Sequence, residues 1–365
     1  MLSADARLSA SVRRGLRCQL DRRSERFTEW DGNLAGADVP SPARSGELLS
    51  ATRLEAWAAC PMRYFLASVL GLGDRAEPDR IVKVSALDRG SVVHRILERF
   101  IDAAVSSGEV PQPDEPWSLE RRERIVEIAN EELDRLEQRG LAGRMLIWQM
   151  ERARILDRLD RFLATDDEFR RRHRCRPVRA ELPFGFADAE PVVLRTAEGN
   201  EVRFRGHADR VDVAEDGRYI VIDYKSGKGD KFKGIDGADP VQGGSTLQLG
   251  LYSEAVIQHH GAPEARALYW LIDAEADAHR GYPWTGERRE RFLQVISGIV
   301  EGIEAGVFAA IPGDWNTWSR THDACRFCPF DSVCPRDRGE LHEAIVDAPE
   351  LAVRSVLTPN DAEAV

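Results

Sequence analysis

Lysine is scarce in this 365-residue chain: of 51 basic residues only five are lysines. Four of them, Lys225, Lys228, Lys231 and Lys233, crowd into one short stretch. The chain also lacks any run of about 18 apolar residues and any apolar N-terminal signal core. Neither a membrane span nor secretion is therefore expected, and the cytosol is the expected compartment. No Gly-x4-Gly-Lys-Ser/Thr occurs, which excludes a P-loop motor within these residues. A net charge of −11 excludes a surface coated for nonspecific duplex binding.

What is present describes a globular chain, 42% hydrophobic and 31% charged, longer than one average domain and so a core with elaborations. Residues 1–46, Arg-rich and then Gly/Pro/Ser-rich, read as a lead-in or linker. Residues 47–340 form the main domain. Within it, residues 115–175 read as an amphipathic helical insertion and 178–312 as the core. The acidic residues 341–365 read as a frayed tail. Helices are expected over 49–70 with Ser50 as N-cap and Pro61 as a restart, over 90–101, over 245–258 and over 290–306. Strands are expected over 179–184, 192–194, 202–213, 219–224 and 267–272. Glu181, on the first of these, reads as a surface carboxylate.

The centre is 206–225, where two β-rich runs flank Asp216-Gly217 and predict a hairpin. Side chains alternate along a strand, so Asp223 and Lys225 share a face while Ile222 and Tyr224 take the other. For Asp209 to join Asp223 on that face, the two must be cross-strand partners. A two-residue turn would send Asp209 to the opposite face. The turn must have an odd loop, Glu215-Asp216-Gly217, with Gly217 left-handed. Two carboxylates and an ammonium there make a compact divalent-metal site. The alternative is a hairpin with solvated surface charges. The lysines beyond Lys225 lie in a Gly-rich loop, either solvated or a flexible flap for phosphates. His94 lies on an apolar helix face, where a histidine is more often a core residue than a ligand. Gln248 and Tyr252, four apart, are neighbours on one helix face.

Six cysteines occur. Cys325, Cys328 and Cys334 form Cys-x2-Cys-x5-Cys in a turn-rich segment, 321–336, which suggests a metal site rather than disulfides. Cys60, like Cys328 and Cys334, is followed by Pro, whereas Cys18 and Cys175 are not. Cys60 is the expected fourth ligand. A set of four cysteines suits structural zinc as well as a cluster.

These motifs together resemble the PD-(D/E)XK nuclease superfamily, and within it the RecB/AddB type. Gly206-His207-Ala208-Asp209 and Asp223-Tyr224-Lys225 match its signature, Gly90-Ser91-Val92-Val93-His94 its Gly-x-x-x-His helix, and Gln248-Leu249-Gly250-Leu251-Tyr252 its Gln-x-x-x-Tyr motif. The resemblance implies an α/β fold: a central mixed sheet flanked by helices, with a helical insertion and a four-cysteine cluster joining the two ends. It implies a [4Fe–4S] cluster on Cys60, Cys325, Cys328 and Cys334. It further implies Mg2+ or Mn2+ held by His94, Asp209, Asp223 and the Tyr224 carbonyl, with Glu181 assisting in some relatives. Asp209, Asp223 and Lys225 would be catalytic, and Gln248, Tyr252, Lys228, Lys231 and Lys233 would contact DNA. The activity implied is hydrolysis of DNA, single-stranded or from ends, in repair or recombination, with a helicase subunit as expected partner. The alternative is a catalytically silent DNA-binding or helicase-docking scaffold with a structural metal.

Overall fold

The computed structural model describes residues 10–73, 81–227, 229–237, 239–262, 264–274 and 277–358. Helix α1 (Ala10–Asp21) leads to a two-residue strand β1 (Leu48–Leu49), then α2 (Ala51–Ala59) and α3 (Pro61–Tyr64). Ser50 is the N-cap of α2, and Pro61 starts α3 after Cys60 leaves helical geometry (φ −160°, ψ 110°). Three long helices follow: α4 (Ala86–Ser107), α5 (Leu119–Gln138) and α6 (Met145–His173). Ser85 caps α4 by accepting from the Asp88 N–H, and Ser118 caps α5 from the Arg121 N–H.

Strands β2 (Cys175–Phe184), β3 (Val192–Arg195), β4 (Glu201–Phe204), β5 (Gly206–Ala214) and β6 (Tyr219–Lys225) come next. Helix α7 (Gln248–His260) connects β6 to β7 (Ala265–Leu271), followed by β8 (His279–Pro283) and α8 (Gly286–Glu304). The remainder is a small hairpin, β9 (Trp315–Asn316) with β10 (Thr321–His322), then α9 (Arg338–Ile345) and a 3-10 helix, Pro349–Leu357.

The central sheet has the order β2-β5-β6-β7-β8, with β6 and β7 parallel and the other pairs antiparallel. Strand β6 alternates between two cores. Ile220, Ile222 and Tyr224 pack with the helical lobe of α4, α5 and α6. Val221 packs on the other side with residues of α2, α7 and α8. Asp223 and Lys225 share the Val221 face. The class is α/β, a mixed sheet between helical layers. No described helix is long and apolar enough to cross a membrane.

The run 202–213, expected as one strand, is two. β4 pairs with β1 and β3 in a separate three-stranded sheet, and the chain crosses to the central sheet at Arg205, whose N–H bonds to the Leu49 carbonyl at 2.8 Å. Parts of the described flanks are packed rather than loose; residues 1–9 and 359–365 lie outside the described residues. Phe27 joins the main core, and the Leu34 N–H bonds to the Gly306 carbonyl at 2.8 Å. In the acidic end, Ile345, Leu351 and Leu357 are buried, and Arg354 donates to the carbonyls of Trp57 and Ala58. These segments bury few but large apolar groups, which their polar average conceals.

Candidate active site

The hairpin has the register that a shared acidic face requires. Arg210 faces Ile222, Val211 faces Val221, Asp212 faces Ile220 and Val213 faces Tyr219. Continued one pair further, that register sets Asp209 opposite Asp223. Beyond the last paired rung the Asp209 side chain bonds to the partner strand. Its Oδ2 accepts the backbone N–H of Tyr224 at 2.7 Å. The turn is a three-residue loop closed by the Ala214 N–H on the Arg218 carbonyl at 2.9 Å, with Gly217 at φ 84°.

On this face Asp223 is 2% exposed and ion-paired with Lys225. The Lys225 ammonium also donates to Gln248 Oε1 at 2.9 Å and stands 5.1 Å over the Tyr269 ring. Gln248 Nε2 in turn donates to the Tyr252 hydroxyl at 3.3 Å. Burial pushes the Asp223 carboxyl up to about 6; Lys225 opposes that shift and the Asp209 charge adds to it. A buried carboxylate beside a second one favours a further nearby cation.

His94 reaches this group from α4. Its Nδ1 lies 3.3 Å from Asp209 Oδ2, and its ring meets that of Tyr224 edge-on at 6.1 Å. Burial lowers the imidazole pKa, but the hydrogen bond to Asp209 and the Asp209 and Asp223 charges outweigh it, so the net shift is upward. Gly90 explains the glycine one helical turn earlier. A Cβ there would stand 3.0 Å from Ser226 Oγ, so glycine lets α4 approach the end of β6, where Arg89 bonds to the Ser226 carbonyl at 2.9 Å.

The structure thus brings His94, Asp209, Asp223, Lys225, Gln248 and Tyr252 together. Among the described residues, no three His, Cys, Asp or Glu side chains close around one point as a single ion requires. At this site His94 and Lys225 already engage the carboxylate oxygens, so a cation would enter by replacing one of those contacts.

The lysine loop behaves differently from a flexible flap. Phe232 and Ile235 are buried in the main core, and the Phe232 ring lies 4.1 Å from that of Tyr269. Lys231 is exposed, Lys233 pairs with Asp230 at 2.6 Å, and Lys228 lies outside the described residues. Glu181 lines a separate cleft with Glu98, Asp102 and His207.

Two groups were not singled out in the sequence. Glu55, on α2, accepts the Leu247 N–H at 2.7 Å, just before Gln248. Burial raises its pKa, and the charges of Lys231 and Lys225 oppose the rise. Its only sequence signal is an acid inside the apolar stripe of Leu54, Trp57 and Ala58. The second group lies behind the hairpin. Arg210, fully buried, bonds to Asp212 at 2.6 and 2.7 Å and to Asp166 of α6 at 2.6 Å. Asp166 also accepts from Trp117 Nε1 and Arg170. This network joins the helical lobe to the strand that carries Asp209.

Four thiols converge elsewhere. Cys60, Cys325, Cys328 and Cys334 line one small cavity with Arg63, Phe330 and Arg338. Cys175 is buried beside Asp212 at 3.6 Å, and Cys18 lies on α1. Burial pushes the Cys325 thiol up to about 11; Arg338 opposes the rise and the three neighbouring thiols add to it. Such a set ionises readily only with a metal among it.

This combination of mixed sheet, paired carboxylates and strand lysine defines a nuclease core. The family model of the PD-(D/E)XK nuclease superfamily matches residues 48–335, and the chain belongs to that superfamily. The chain is 35% identical over 222 residues to the B subunit of the ATP-dependent helicase/deoxyribonuclease of Symbiobacterium thermophilum, covering 57% of this chain and 17% of that protein. It is 32% identical over 257 residues to the protein of the same name from Pelotomaculum thermopropionicum, covering 66% of this chain and 21% of that protein. The chain therefore spans about a fifth of the length of these relatives. The crystal structure of SSO0001 is a loose likeness, with a TM-score of 0.27 at 13% identity over 75% of this chain and 94% of that one.

Proposed function

We propose that the chain is a Mg2+- or Mn2+-dependent deoxyribonuclease that cuts single strands or DNA ends in repair and works with a helicase subunit. The observation that carries this is the cross-strand placement of Asp209 and Asp223 beside Lys225 and His94. DNA and the helicase are suggested by the names of the relatives.

His94, Asp209, Asp223 and the Tyr224 carbonyl are the groups that would hold the cation, since hard oxygen donors with one imidazole suit either ion. Once bound, the ion would polarise the scissile phosphate and make water a better nucleophile. Lys225 orients the attacking water and offsets charge building on the phosphate oxygens. Gln248 accepts from the Lys225 ammonium alongside Asp223, and Tyr252 accepts from Gln248 in turn. Gln248, Tyr252, Lys228, Lys231 and Lys233 would contact the DNA.

Cys60, Cys325, Cys328 and Cys334 would hold a [4Fe–4S] cluster. The support for this reading is that the four thiols line one small cavity and that three of them carry the Cys-x2-Cys-x5-Cys spacing.

Intact Asp209, Asp223 and Lys225 speak against the silent scaffold. The test is cleavage of single-stranded and duplex DNA with marked ends by the purified chain, with Mg2+, Mn2+ or chelator. Cleavage restricted to the metal arms is expected. Binding without cleavage in every arm would leave the scaffold.

A further inference from the structure

The turn-rich segment around β9 and β10 carries aromatic surface that no described part of the chain covers. Trp318 and Phe327 are 83% and 82% exposed, the two highest values among the described large apolar side chains, and the neighbouring Trp315 is 56% exposed. Exposed aromatic surface of this kind marks a site that meets a partner. It is also held in place. β9 pairs with β10, and Asn316 Oδ1 accepts the N–H groups of Trp318 and Ser319 at 3.1 and 3.0 Å. Phe327 stands between Cys325 and Cys328, two of the thiols that line the cluster cavity.

A guanidinium joins the rings. Arg326 lies 5.5 Å from the Trp318 ring centre and 4.9 Å from that of Phe327. Among the described residues, neither Arg326 nor the exposed Arg320 has a carboxylate partner. Arg338, at the far end of the segment, pairs with Asp331 at 2.6 Å. In a chain of net charge −11, a cation set against exposed aromatic rings is complementary to a polyanion with flat faces.

We propose that Trp318, Phe327 and Arg326 form a stacking platform for the unpaired bases of a single-stranded nucleic acid. Bases stack on the indole and phenyl faces, and the planar guanidinium between them meets the backbone phosphates. This choice tolerates any sequence, because every base has a π-face. The platform is tied to the catalytic lysine through the fold. Its segment shares the thiol cavity with Cys60, which ends α2, and Glu55 of α2 bonds to the residue before Gln248. A strand held there is held at a fixed position relative to the acidic face. The identity of the strand as DNA rests on the proposed function; the stacking itself does not.

The test uses the full chain with its cluster, in chelator so that nothing is cut. Affinity for a labelled twenty-nucleotide oligothymidylate and for a blunt hairpin duplex is measured for the wild type, Arg326→Ala and the double variant Trp318→Ala/Phe327→Ala. The double variant should lose at least about tenfold on the oligothymidylate, as expected for two lost base–ring stacks. It should keep its duplex affinity, visible absorbance and Tm. Binding should quench tryptophan fluorescence in the wild type and less in the single variant Trp318→Ala, which serves if the double variant does not fold. Unchanged oligothymidylate affinity in a folded variant, the result a protein-docking surface would give, overturns the proposal. So does an equal loss on duplex. A wild type that binds through these rings yet cuts nothing in Mn2+ would sink the nuclease assignment and leave the platform standing; cleavage with unchanged variant binding would do the reverse.

Discussion

Glu55 accepts the backbone N–H of Leu247 at 2.7 Å, a contact that spans 192 positions of sequence. It satisfies a donor at the start of α7, where free N–H groups and the helix dipole favour an acid. The next residue is Gln248, whose Oε1 accepts from Lys225. Glu55 is therefore a positioning residue: it fixes α7, and α7 fixes the lysine. Removing it in Glu55→Ala should destabilise the fold by about 1 kcal/mol, the usual loss for a cap, and lower kcat for DNA cleavage more than it changes KM. Glu55→Gln keeps an acceptor and should restore most of kcat. Equal kcat in wild type and Glu55→Ala would show that Lys225 is held without it.

The Arg210 network predicts a fold effect without a catalytic role. Its guanidinium neutralises Asp212 and Asp166, all fully buried. Arg210→Ala would leave the buried Asp212 without its cation and Asp166 with Arg170 alone, and should lower unfolding free energy in urea by about 3–5 kcal/mol. A loss under about 1 kcal/mol would mean that the carboxylates find other partners.

Much of this arrangement was legible in the sequence, for reasons of parity and chemistry. Alternation put Asp223 and Lys225 together, and the requirement that Asp209 join them set both register and loop length, as the pairing of Arg210 with Ile222 shows. The thiols could be sorted because Cys325, Cys328 and Cys334 lie close in sequence and Cys60, like Cys328 and Cys334, is followed by proline. What was hidden depends on three-dimensional neighbours. The switch of sheets at Arg205 follows from pairing with Leu49, and β1 is too short to signal itself. Glu55 looks like any helical acid until Leu247 is placed beside it. Phe27, Leu351 and Leu357 sit in stretches whose polar composition reads as linker and tail.

Asp223 carries a pH signature. Its carboxyl, pushed up to about 6 by burial, binds a proton more tightly in the folded chain than in the unfolded one. Ionisation therefore opposes folding: in chelator, its contribution makes stability fall as pH rises from 3.8 through about 6. The difference in unfolding free energy between wild type and Asp223→Asn should follow that window and level off above it. Mn2+ requires the ionised form, so Mn2+ affinity of the wild type should increase over the same range. A flat difference curve would place Asp223 in a more solvated setting.

The cysteines divide cleanly. Cys60→Ala should lose brown colour and visible absorbance, melt lower, and lose cleavage through unfolding, because a cluster held by Cys60 would tie α2 to the segment 321–336. Cys18→Ala and Cys175→Ala should keep the chromophore, since neither thiol lines the shared cavity. Full iron content in Cys60→Ala would place the fourth ligand elsewhere.

The proposed function assigns phosphodiester hydrolysis to Asp223 and Lys225, neighbours on one strand face. The most direct measurement is single-turnover cleavage of end-labelled DNA in Mn2+ by wild type, Asp223→Ala and Lys225→Ala, each with matched Tm and DNA affinity. Cleavage by the wild type and none by either variant is predicted. Wild-type rates in either variant would contradict the account.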